Sequence, residues 1–138
     1  MARALLVVEA GGVFLGLDSA LVREIVPSRS MTRLPGAPLF VRGLLNVRGS
    51  LVTVVDLAAR LGAGVDSLSE PSVVILVTES RALGLLVDDV QEVRVFDDDE
   101  LLPAPAEDGE GLVRAMGHFG SRVVLEVDVP ELVRQTLA

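Results

Sequence analysis

Short apolar runs, each closed by glycine, proline or a small polar cluster, recur along the whole chain. Runs this short are too brief for a helix of several turns, but they match the usual length of a β-strand. Valine dominates many of them, and its branched Cβ suits a pleated surface better than a helix. Residues 4–9 and 13–17 flank Ala10-Gly11-Gly12 and predict a first hairpin. Asp18 and Ser19 predict a brief helical turn, and Pro27 stops the segment that begins at Leu21. Pro35-Gly36-Ala37-Pro38 predicts an extended turn, and residues 39–41 a short helical one. Residues 44–47 and 51–55 predict a hairpin around Arg48-Gly49-Ser50, where Gly49 can take a positive φ. Asp56 then caps a short helix over 57–61, ended by Gly62. Residues 63–72 read as a loop.

The second half repeats this style without an evident sequence repeat. Val73-Val74-Ile75-Leu76-Val77 is continuously apolar, the mark of a strand buried on both faces. Residues 78–82 turn the chain into a strand over 83–87. A further strand through Val90, Val93 and Val95 should bend at a bulge near Asp88-Asp89. Residues 97–100 read as an acidic loop before a short helix, and 103–111 as loop. Residues 112–116 and 122–127 predict a last hairpin across 117–121, and Asp128 with Pro130 opens a closing helix that ends near Leu137. About nine short strands and three short helical pieces describe a mostly β, barrel-like chain.

Composition narrows function chiefly by exclusion. With 138 residues, half of them apolar, one compact core is affordable without staples. No cysteine occurs, so disulfides, thiolate nucleophiles and Cys-ligated zinc are excluded. The net charge of −8, with twelve basic residues that are all arginine and scattered singly, argues against nucleic acid. Glu9 interrupts the apolar start, so residues 4–8 read as a strand and not a signal peptide. No apolar run approaches the ~18 residues that span a bilayer, and a cytoplasmic protein is expected.

Catalytic chemistry finds little to work with. The single histidine, His118, falls in the predicted turn 117–121 and reads as solvent-exposed. Asp97-Asp98-Asp99-Glu100 fits neither a calcium loop nor a paired-carboxylate site, and it reads as acids favouring a helix N-terminus. Asp88 and Asp89 point to opposite faces of a strand, which suits a bulge better than acid–base work. No cofactor, metal site or catalytic residue is assigned, and an enzyme is not expected. Arg48, at the tip of a turn between apolar strands, reads equally as an interface anchor and as a solubilising turn residue. Val22 and Ile25 read first as core, with a groove contact as the alternative.

Several ordered stretches resemble the CheW family of chemotaxis coupling proteins. They are Val13-Phe14-Leu15-Gly16-Leu17, Leu21-Val22-Arg23-Glu24-Ile25 and Thr32-Arg33-Leu34-Pro35-Gly36-Ala37-Pro38. The most specific follows, Phe40-Val41-Arg42-Gly43-Leu44-Leu45-Asn46-Val47-Arg48-Gly49. Val54-Val55-Asp56-Leu57, Gly84-Leu85-Leu86-Val87-Asp88-Asp89-Val90 and Pro103-Ala104-Pro105 complete the set. The resemblance implies a single domain over 1–138 made of two intertwined, five-stranded SH3-like β-barrel sub-domains. These would share one hydrophobic core, with a few short helices. It also implies a non-catalytic adaptor, clustered with membrane receptors, that couples a chemoreceptor's cytoplasmic signalling tip to the regulatory domain of a CheA-type histidine kinase. Carried over by motif, Val22, Ile25, Arg48 and Val87 would meet the receptor. Glu24, Gly43, Asn46 and Gly49 would meet the kinase. The turn 78–82 and the loop 106–111 look shorter than is usual in the family, in the half associated with kinase contact. A receptor-binding module in a different assembly, with weak or no kinase binding, is the alternative.

Overall fold

In the computed structural model, residues 2–28, 31–60, 71–104 and 111–137 are described. Eleven strands appear among them. They are β1 (Ala2–Ala10), β2 (Val13–Asp18), β3 (Val22–Pro27), β4 (Val41–Val47), β5 (Ser50–Val55), β6 (Ser72–Thr78), β7 (Arg81–Val87), β8 (Asp89–Asp97), β9 (Leu102–Pro103), β10 (Val113–Phe119) and β11 (Arg122–Val127). Helix α1 (Leu57–Arg60) follows β5, α2 (Val129–Leu137) follows β11, and single 3₁₀ turns occupy Ser19–Leu21 and Asp98–Glu100. Among the described residues no helix is long and apolar enough to cross a membrane.

The strands form two sheets, ordered β8-β1-β2-β11-β10-β9 and β3-β6-β7-β5-β4. Each sheet therefore borrows a strand. β3 follows β2 in the chain but pairs with β6 in the second sheet, and β8 follows β7 but pairs with β1 in the first. Three apolar clusters result. Leu5, Val7, Phe14, Phe96, Ala115 and Val124 come from five strands of the first sheet and meet in one cluster, so that sheet must curl around it. Leu45, Val52, Val54, Val73 and Ile75 do the same in the second. Leu6, Val8, Leu15, Leu17, Val74, Leu76, Leu83 and Leu85, joined by residues of α1 and α2, fill the space between the sheets. Period-two alternation explains why β1 and β6 are continuously apolar: Leu5 and Val7 face one core while Leu6 and Val8 face the other.

Several local expectations are corrected. The turns at 11–12, 48–49 and 79–80 are two residues long, closed by the pairs Ala10–Val13, Val47–Ser50 and Thr78–Arg81. Residues 39–40 form a turn closed by the Val41 N–H donating to the Pro38 carbonyl at 2.9 Å, and Val41 already begins β4. The β8 bulge lies at Gln91, since Val90 and Glu92 face Val8 and Val7. The last hairpin turns at Gly120-Ser121, which places His118 within β10 and not in the turn. The expected helix end at Leu61-Gly62 and most of the loops 63–72 and 103–111 lie outside the described residues.

A repeat absent from the sequence reading also emerges. The β4–β5 and β10–β11 hairpins share one burial alternation, each is followed by a helix, and β5 and β11 pair in parallel with β7 and β2. The weak signals were Val41-Arg42 with Val55-Asp56-Leu57 against Val113-Arg114 with Val127-Asp128-Val129, and Leu15-Gly16-Leu17 against Leu83-Gly84-Leu85.

Candidate partner-binding surface

The β4–β5 turn consists of Arg48 and Gly49, both with positive φ, 51° and 85°. Such a turn matches the right-handed twist of its strands, but a non-glycine residue there carries strain of roughly 1 kcal/mol. Asn46 Oδ1 accepts the Gly49 N–H at 2.9 Å and holds the turn from below. The Arg48 guanidinium then donates to Glu24 Oε2 at 2.6 Å. Glu24 belongs to β3, at the opposite end of the sheet from β4. The ion pair thus clips the two ends of the curled second sheet. The Arg48 side chain is 78% exposed and that of Glu24 only 19%. A pair this open adds little net stability, because water screens it, yet it fixes where the guanidinium points.

Beside the pair lies an open groove of about 430 Å³, floored by Val26, Leu45 and Val47 and rimmed by Glu24, Asn46 and Arg48. Ile25, the next residue of β3, is 45% exposed, and Leu51, opposite Asn46 in the hairpin, is 69% exposed. Leu51 was missed by sequence reasoning. Strict alternation with the buried Val52 and Val54 was the signal that would have turned it outward.

Four of the eight singled-out residues, Glu24, Asn46, Arg48 and Gly49, therefore meet at one place, with Ile25 next to Glu24 on β3. Glu24 and Arg48, expected on surfaces for different partners, touch each other. Val22 is half-buried and packs against the shared core. Val87 is a correction: it is fully buried in that core and presents nothing to a partner. Gly43 is also buried; a Cβ there would lie 2.3 Å from the Thr32 carbonyl oxygen, so the glycine permits the Thr32–Leu44 bridge.

The acidic candidates have local tasks. Asp88 Oδ2 accepts the Gly11 N–H at 2.9 Å, and Asp89 accepts from the Val90 N–H and the Gln91 amide. Glu100 Oε1 accepts the Asp97 N–H at 2.8 Å across its 3₁₀ turn. Among the described residues, no three carboxylate or imidazole groups gather as a metal would need. The arrangement can bind by shape and charge, and it offers no nucleophile beside a base.

Similarity to known proteins extends over most of the chain. The CheW-like domain family matches residues 4–137. The chemotaxis protein CheW of Rhizobium meliloti is 36% identical over 107 residues, 75% of this chain and 67% of that one. The chemotaxis protein CheW of Klebsiella aerogenes is 29% identical over 132 residues, covering 93% and 80%. The crystal structure of the scaffolding protein TtCheW from Thermoanaerobacter tengcongensis superposes with a TM-score of 0.83 at 27% identity, over 94% of this chain and 86% of that one.

Proposed function

The chain belongs to the CheW-like domain family, and from that premise we propose that it is a non-catalytic scaffold coupling chemoreceptors to a CheA-type histidine kinase. The receptor's cytoplasmic signalling tip and the kinase's regulatory domain are its partners, which would gather it at the membrane without insertion. One observation carries this reading: a strained, buttressed turn holds Arg48 over an apolar groove, against Glu24. A guanidinium so placed can fork onto a partner's carboxylate or carbonyls, while Ile25 and Leu51 supply apolar contact. The kinship with proteins named for chemotaxis and scaffolding supports the same direction.

The test is calorimetric binding to a receptor signalling-tip fragment and to a kinase regulatory domain encoded in the same genome. The wild-type protein should bind both, and Arg48→Glu should weaken at least one by about tenfold or more, since charge reversal beside Glu24 repels where attraction stood. Wild-type binding to neither would sink the adaptor reading. Unchanged binding of Arg48→Glu to both would sink the surface assignment alone. Receptor binding without kinase binding would identify a module of a different assembly.

A further inference from the structure

We propose that Glu126 is an address mark: with Arg3 it specifies which of two look-alike hairpins closes the first sheet. The need for such a mark follows from the structural repeat. Hairpins β4–β5 and β10–β11 present the same alternation of buried and exposed positions. Their second strands dock in parallel on Leu83-Gly84-Leu85 and on Phe14-Leu15-Gly16, two nearly interchangeable tracks. Apolar pattern alone discriminates poorly between the correct docking and the exchanged one, within one chain or between two copies.

Interior positions differ in size, Gly43 against Ala115 and Leu45 against Gly117, but at one alone the difference is of charge. Val54 lies opposite Gly84 in the second sheet, and Glu126 lies opposite Gly16 in the first. Glu126 is only 3% exposed, the one charged residue among the described buried set. The Arg3 guanidinium stands 3.2 Å from its Oε1, and Arg114 Nε stands at 3.9 Å. Arg3 comes from β1, two residues before Leu5, whose side chain shares that interior. Glu126 Oε1 and Arg3 Nε nevertheless lack a well-aligned hydrogen bond, so the pair is not an optimised source of stability. In the exchanged docking Glu126 would enter the second sheet's interior. The residues there, Leu45, Val52, Val54, Val73 and Ile75 with Val26, Met31 and Leu86 around them, are all apolar. An uncompensated carboxylate there is forbidding, which is discrimination by exclusion.

The test uses the full chain, with Glu126→Val and Arg3→Leu each unfolded in denaturant and refolded. Glu126→Val should melt at the wild-type temperature or a few degrees above it, because it removes a poorly satisfied buried charge. On refolding, however, it should yield a second population, seen as extra amide resonances or as exchanged dimers in size-exclusion chromatography, where the wild type gives one. Arg3→Leu should melt several degrees lower, and Glu126→Val placed on top of it should restore the loss. Clean refolding of Glu126→Val to a single wild-type-like population would overturn the proposal. So would a melting point for Glu126→Val below that of Arg3→Leu, because the carboxylate would then be a stabiliser and not a mark.

Discussion

Gly43 and Glu126 illustrate how single side chains decide local structure. Gly43 has φ of 152°, and any Cβ would meet the Thr32 backbone. Gly43→Ala must push that segment away or break the Thr32–Leu44 bridge, and a loss of about 2 kcal/mol or more is expected in urea unfolding. Two carboxylates should titrate far apart. Burial pushes the Glu126 carboxyl up, against the opposing pull of Arg3 and Arg114 and with Asp18 and Asp128 adding to the rise. Hydrogen bonds from Arg134, then Gln135, hold the half-buried Glu131 down to about 2. Carbon-detected NMR titration should resolve both midpoints on opposite sides of the ordinary value near 4.3. For stability the signs are opposite. The Glu126 contribution is complete below the unfolded value and is lost as pH rises through its raised folded value. That of Glu131 is present above the unfolded value and is lost as pH falls towards about 2. Glu126→Gln should therefore gain on the wild type in denaturant midpoint as pH is raised from about 4 to about 7.

Among the elements, α2 shows how a short helix is held. Asp128 Oδ1 accepts the Glu131 N–H at 3.0 Å and caps the first turn, while Pro130 sits where no backbone donor is needed. Glu131 then accepts from Arg134 Nε at 2.9 Å and from Gln135 at 2.8 Å, one turn on. The opposite face, Val129, Leu132 and Val133, is buried in the shared core. Asp128→Ala should cost about 1 kcal/mol of global stability by chemical denaturation. Asp56 repeats the device before α1, with its Oδ1 accepting the Ala59 N–H at 3.0 Å.

For the whole molecule, strand exchange and the shared core make the two sheets interdependent. Leu85 lies in that core, on a strand flanked by β6 and β5. Leu85→Ala should cost about 2–5 kcal/mol through lost transfer energy and a residual cavity. Calorimetry should still show one transition whose calorimetric and van't Hoff enthalpies agree, because neither sheet is complete without a strand from the other half. Two separable transitions would contradict this coupling.

Local chemistry is what the sequence determined by itself. Apolar runs marked most strands, glycines marked turns, Asp56 and Asp128 marked helix starts, and the motif around Asn46-Val47-Arg48-Gly49 marked the turn that carries the candidate surface. These are short-range signals, carried by propensity and by hydrogen bonds within a few residues. The tertiary structure alone decided which face of each strand met which core, because alternation does not say on which side a second sheet will lie. It therefore decided that Val87 is interior and Leu51 exterior, and that Glu24 and Arg48 touch. It also decided that Glu126, which nothing nearby in the chain marks out, is buried against an arginine from the other end of the chain. Contacts between residues so far apart in sequence depend on pairing order, and pairing order is a property of the folded whole.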